Sequence, residues 1–179
     1  MKDLHLFLNI VRSLYPTGEW RAYPMCPQDM VFEERVKLNC FYCPKYNVNW
    51  KCPPRIPALD YRQVLSEYEH CVLITLALPL IGQDFADVRV NSSLFLHKGL
   101  LALEKELWEH DNATAVSFIG GSCKLCKNGC GIEKCNNPAM ARMSLEAAGI
   151  NVVKTAAKVG CIVEFPPKES ILRVGAIVW

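Results

Sequence analysis

Long apolar runs are missing from this 179-residue chain. The longest, Cys71 to Ile81, is too short to cross a bilayer. Charge of one sign is missing as well: 20 Lys and Arg stand against 18 Asp and Glu, a net charge of +2 with no basic run. That balance argues against a nucleic-acid binder driven by phosphate neutralisation. The segment Met1 to Val11 reads as a short amphipathic helix with no small-residue cleavage site, so no signal peptide is expected and a cytoplasmic location is. No Ser-His-Asp order, phosphate-binding loop or dinucleotide fingerprint occurs, and Gly120-Gly121 alone supports no cofactor. Histidine is scarce. His5, His70, His97 and His110 fall on predicted helices or their ends and read as surface or core residues rather than ligands. There is no low-complexity stretch, no domain linker and no repeat beyond two groups of cysteines. With 51% hydrophobic residues the chain has enough apolar mass for one domain, 1–179.

What the chain does have is cysteine, ten in all. Cys123, Cys126, Cys130 and Cys135 fall in one short stretch broken by Gly129 and Gly131 and followed by Asn136-Asn137-Pro138. A loop this short can wrap four sulfurs around one centre, but disulfide geometry makes two unstrained bridges hard to form there. A second group, Cys40, Cys43 and Cys52, precedes Pro53-Pro54. A secreted disulfide scaffold is disfavoured by the ample core and the missing signal peptide. Four close thiolates suit an iron–sulfur cluster or zinc. Structural zinc sites take two separated ligand pairs, whereas the compact spacing here is closer to ferredoxin-like loops, which favours a 4Fe–4S cluster, one or two in number, over zinc. Backbone amides at Gly129 and Gly131 could hydrogen-bond to cluster sulfurs. The first group has three ligands in hand. Its fourth is Cys26, Cys71, Cys161 or none. Cys26 lies in the same irregular segment and is the preferred spare ligand, whereas Cys71 and Cys161 read as buried small hydrophobes. A cluster with three thiolates would leave an iron open to a small molecule; one with four would be a plain electron carrier.

The pattern along the chain predicts an α/β fold: a small, mostly parallel sheet flanked by helices, with an irregular Cys/Pro-rich N-terminal segment. Helices are expected over Asp3 to Leu14, Asp60 to His70, Val90 to His110, Pro138 to Ala148 and Val152 to Val159. Strands are expected at Cys71 to Leu78, Ala113 to Ile119 and Ile171 to Trp179, with a short one at Val31 to Leu38. A right-handed crossover would make the first two long strands parallel and place the Cys123 loop at a strand's C-terminal end. Residues 16–57, with Pro16, Pro24, Pro27, Pro44, Pro53, Pro54 and Pro57, show no periodicity and are expected to be ordered by their metal centre. Residues 58–179 form the α/β part, with the second cysteine cluster at 123–135. Arg142, Ser144 and Glu146 are expected to solvate an exposed helix face or to bind an anionic substrate.

Gly120-Gly121-Ser122-Cys123-Lys124-Leu125-Cys126, then Cys130, Cys135, Pro138, Ala141-Arg142, Ser144-Leu145-Glu146-Ala147 and Gly149-Ile150-Asn151-Val152, resemble the predicted metal-binding family known as domain of unknown function 2284. So do Cys40, Cys43, Tyr46, Asn47, Cys52-Pro53-Pro54 and Tyr68. The resemblance runs from about residue 31 to 179. Asn47 stands where the family often has Gly, and Met143 where it often has Pro; neither change touches a ligand. The resemblance implies a protein of anaerobic bacteria or archaea that binds an iron–sulfur centre, and it implies no reaction. The expected function is electron transfer to or from a redox protein partner. The alternatives are an enzyme with an open iron for a small-molecule substrate and a zinc-stapled interaction module.

Overall fold

A computed structural model describes residues 4–110 and 112–179. Its elements run α1 (Leu4–Leu14), β1 (Glu19–Met25), α2 (Glu34–Phe41), α3 (Tyr61–Ser66), β2 (Cys71–Pro79), α4 (Phe85–Trp108), β3 (Val116–Phe118), α5 (Val152–Lys158) and β4 (Ser170–Val178). Asp3, expected to open the first helix, lies outside the described residues.

The sheet overturns the expected parallel arrangement. It has four strands in the order β1-β2-β4-β3, and every pairing is antiparallel. The cause is the last strand. β4 inserts between β2 and β3, pairing Leu73 with Ala176 on one side and Phe118 with Ala176 on the other. β2 and β3 therefore never meet, and the crossover through α4 passes over a strand that arrives later in the chain.

Alternation of side chains explains why β2 reads as one apolar run. Val72, Ile74, Leu76 and Leu78 face a core made by α1 and α4, with Phe7, Val11, Leu96, Leu100, Leu103 and Leu107. Cys71 and Leu73 face a second core with Met30, Leu65, Leu145, Ala148 and Ile150. A strand covered on both faces has no polar side to show.

Three local expectations fail for identifiable reasons. β1 lies inside the segment expected to be irregular. It is an edge strand, where Pro24 is tolerated because only one side of the strand is paired. Val31 to Leu38 is not a strand; α2 begins at Glu34, and Val36 is its only buried side chain. Pro138 to Ala148 is not a helix. Its backbone is taken up by turns and by a bridge from Ser144 to Ile119.

Helix α4 organises the rest. Asp84 caps its N-terminus by accepting from the Ala86 and Asp87 amides. Glu104, wholly buried on its inner face, accepts from the Ser117 amide at 2.7 Å and the Ser117 hydroxyl at 2.5 Å. It also accepts from Arg142 Nε at 2.8 Å and Nη2 at 2.5 Å. Arg142 further donates to the carbonyls of Ala139 and Ala141. One buried carboxylate thus ties β3 and the segment after the second cysteine loop to the same helix. Arg142 is committed to Glu104, and neither of the roles expected for it holds.

Candidate metal centre

Each cysteine group is placed by short-range backbone geometry. Cys40 sits in the last turn of α2, and the chain leaves that helix in successive turns. The Cys43 amide bonds to the Cys40 carbonyl at 3.1 Å, Tyr46 to Cys43 at 2.9 Å, Cys52 to Asn49 at 3.1 Å, and Arg55 to Cys52 at 3.0 Å. Asn47 adopts φ 53°, the left-handed region that Gly and Asn tolerate best, so its place in the resembled motif has a conformational reason.

The second group leaves the sheet just after β3. At Gly120 a Cβ would lie 2.6 Å from the Val174 carbonyl, so the chain passes against β4 only because no side chain is there. Farther on, a Cβ at Gly131 would meet the Lys134 carbonyl at 2.3 Å; the loop doubles back on itself at that point. The Asn137 side-chain amide donates to Cys126 Sγ at 3.0 Å, a sulfur hydrogen bond from within the loop.

Two side chains then fasten one group to the other. Asn49, 5% exposed, donates to the Cys123 carbonyl at 2.9 Å, and its own oxygen accepts from the Lys51 amide. Trp50 Nε1 donates to the Gly131 carbonyl at 2.7 Å, with the Arg55 guanidinium 4.3 Å from its ring centroid. Spacing alone did not single out either residue; their position between Cys43 and Cys52 was the available signal.

The thiols that result influence one another electrostatically without closing on a single point. Burial pushes the Cys52 thiol up to about 12, helped by the neighbouring thiols of Cys43 and Cys40 from its own group and of Cys123 and Cys130 from the other. Cys52 thus feels thiols of both groups. Burial also raises Cys40, whose charged neighbours are Glu146 and Cys43. Cys123 is raised by burial and by Cys130, Cys135 and Cys126, against the opposing Leu125 amide. Thiols raised in this way, Cys40, Cys52 and Cys123, hold their protons until a cation replaces them.

Cys26 is placed elsewhere. It follows Met25, which pairs with Cys71 across β1 and β2. Its thiol donates to Gln28 Oε1 at 2.5 Å and bears on Cys71 rather than on Cys40 or Cys52. Cys71 and Cys161 are buried, the latter at 4% exposure. All ten cysteines are free thiols.

Residues 24–178 match the family described as predicted metal-binding protein (DUF2284). The chain belongs to that family. Comparison of this DUF2284 protein with curated proteins and with solved structures finds no match. Family membership supports a bound metal and does not name it. Among the described residues, no three Cys, His, Asp or Glu side chains are gathered closely enough to enclose one metal ion. The donor set fits a soft metal by chemistry: seven thiols on two stitched loops, with an amide already donating to one sulfur. A surface concavity of about 410 Å³ is lined by Ile162, Glu164, Lys168, Glu169, Ser170 and Leu172 and contains no thiol. Among the described residues, no helix is long and apolar enough to cross a membrane.

Proposed function

We propose that this DUF2284 protein carries an iron–sulfur centre of the 4Fe–4S type and passes electrons to or from a protein partner. The supporting observation is that Asn49 and Trp50, from between Cys43 and Cys52, bond to the backbone of the second cysteine loop at Cys123 and Gly131. Cys123, Cys126, Cys130 and Cys135 would hold one cluster, and Cys40, Cys43 and Cys52 a second. Such a centre supplies reversible one-electron chemistry when bound. The chain's own contribution is placement. The Asn49 and Trp50 bonds keep the two loops in contact, the Asn137 amide orients the Cys126 sulfur by donating to it, and burial keeps water from part of the site. Charge would pass most readily between the loops at Cys52.

The position of Cys26 favours a second reading. With Cys26 beside Cys71, the first group keeps three thiols, and a cluster held there would present one iron to a small molecule. That reading makes the protein an enzyme. A zinc staple is the alternative that the donor type equally allows.

The test is metal and acid-labile sulfide analysis of protein purified without oxygen. The expected result is iron with a matching amount of sulfide. Zinc without sulfide would replace the redox reading by a structural one. A Cys52→Ser variant is expected to alter the spectra of both groups. Cys126→Ser should affect the second group alone, and Cys26→Ser neither.

A further inference from the structure

Beside the second cysteine loop, Lys124 and Arg173 are held on neighbouring serines of α4, and the charges of the exposed Arg89 and Lys45 reach Lys124. Lys124, half-buried between Cys123 and Leu125, donates to Ser93 Oγ at 3.1 Å and to the Ser122 carbonyl at 3.2 Å. Arg173, from β4, donates through Nε to Ser92 Oγ at 3.1 Å and through Nη2 to the Arg89 carbonyl at 3.0 Å. Its Nη1 lies 3.8 Å from where a Cβ on Gly121 would stand. Ser92 and Ser93 are adjacent and buried on α4, so one short piece of helix holds both cations side by side through neutral hydroxyls. The charges of Arg89 and Lys45 bear on the same ammonium. Among the described residues, none of Lys45, Arg89, Lys124 and Arg173 makes a salt bridge to a carboxylate.

One acceptor stands at the rim. Glu146 bears on Arg173 to one side and on Cys40 to the other. Its Oε2 is buried and has no hydrogen-bond partner. Like charges gathered into a half-buried place are unfavourable without a counter-charge, and an unsatisfied buried oxygen is costly as well. Both features are relieved by one kind of molecule, an oxyanion that also carries a hydrogen-bond donor. Lysine and arginine fixed by serines are suited to receive a carboxylate or phosphate group.

We propose that Lys124, Arg173, Arg89 and Lys45 form a subsite for the carboxylate or phosphate group of a small molecule, with Glu146 accepting from a donor on that same molecule. The subsite adjoins Cys123, the chain neighbour of Lys124, so its occupant would lie beside the second cysteine loop. This deepens the small-molecule reading above, on which it rests for its role but not for its binding chemistry.

The experiment is calorimetric titration of the full-length, metal-loaded protein at constant ionic strength with inorganic phosphate, acetate and glycolate, metal content being measured on each sample. Saturable binding of phosphate or of the carboxylates is expected, and which of them binds more tightly separates the two sources. Glycolate should bind more tightly than acetate, and Glu146→Leu, which removes the acceptor, should abolish that difference. Lys124→Gln and Arg173→Gln should each weaken binding about tenfold or more, while Arg35→Gln, at a surface cation paired with Glu33, should leave it unchanged. If Lys124→Gln or Arg173→Gln fails to fold or to hold metal, the exposed Lys45→Gln and Arg89→Gln carry the test, each with about threefold weaker binding. No saturable binding, or equal binding by wild type and the cation variants, overturns the subsite. Binding by metal-stripped but not by loaded protein also overturns it, because the cations would then serve only to balance the centre. A protein that never holds metal yet binds phosphate through Lys124 overturns the metal reading and leaves the subsite standing.

Discussion

Glu104 carries more of the architecture than any other polar side chain described. It accepts four hydrogen bonds in a site closed to water, and Arg142, its only cationic partner there, is itself 13% exposed. Removing the cation would leave a buried charge with only Ser117 to answer it. Arg142→Met is therefore expected to destabilise the protein by about 3–5 kcal/mol, read as a fall in the denaturant midpoint. A change below about 1 kcal/mol would mean that the segment relaxes and water enters. His97, about two turns nearer the N-terminus of α4, is bound through Nε2 to the Met140 carbonyl at 3.0 Å. A carbonyl only accepts, so Nε2 holds the proton and Nδ1 is left as a buried lone pair without a partner. Burial lowers this imidazole to about 4, with the Arg142 and Lys124 charges adding to the effect and the Met140 carbonyl opposing it. The unfolded chain takes up a proton near 6.5 and the folded one only near 4, so stability falls as pH drops between those values and levels off below. The loss is on the order of 3 kcal/mol. Unfolding free energies at pH 7 and pH 5 test this, and His97→Gln should flatten the slope. Below about 4.5 a second loss begins, because Glu33, held down to about 2 by Arg35, Lys154 and Asn151, gains a proton in the unfolded chain first. Neither Glu104 nor His97 stood out beforehand, since each is one polar letter on a leucine-rich helix. Glu104 lay on the stripe of Leu100, Leu103 and Leu107, and a charge on such a stripe asks for a partner.

Among elements, the two loops are the new fact. Their cysteines were legible because thiol spacing is a local property. Their contact was not, because it depends on Asn49 and Trp50 reaching 74 and 81 residues along the chain. Trp50→Phe keeps the ring and deletes the N–H donor. It is expected to lower metal retention by both groups while leaving the unfolding transition of the core within about 1 kcal/mol; metal loss from the first group alone would show that the loops act separately. The regular elements divide in the same way. β2, α4, α5 and β4 announce themselves by apolar runs or helical periodicity in their own residues. β1 is hidden because Glu19, Arg21 and Pro24 give an edge strand no apolar pattern, and because Trp20 is its only buried residue. Pro138 and Gly149 mimic a helix start and stop, and Gly149 does take φ +87°. The helix between them loses to tertiary partners: Ser144 pairs with Ile119, and Arg142 turns inward to Glu104. The order of the sheet was the least accessible of all, since the strand that separates β2 from β3 comes last.

For the molecule as a whole, the question is what orders its N-terminal third. The expectation that a metal centre staples residues 16–57 is too broad, because β1 is held by seven pairings to β2 and by Trp20 in the main core. A narrower stretch, 42–57, does need ligation to hold its order. Only Asn49 is buried there, while Tyr42 is 80% exposed and Val48 57%. Its order rests on tight turns and on the two bonds to the second loop. Ordering costs roughly 1–2 kcal/mol for each residue fixed, more than isolated turns and two hydrogen bonds return, so ligation should supply the difference. Stripping the metal with a chelator is therefore expected to expose 42–57 and 122–137 to protease together, since each is the other's support. The β1–β2–β4–β3 sheet and α4 should stay protected, with β1 among the protected parts. Cleavage mapped by mass spectrometry on loaded and stripped protein distinguishes the cases. Early cutting within 19–25 would mean that the sheet itself depends on the metal, and equal resistance of 42–57 in both forms would mean that packing alone holds it.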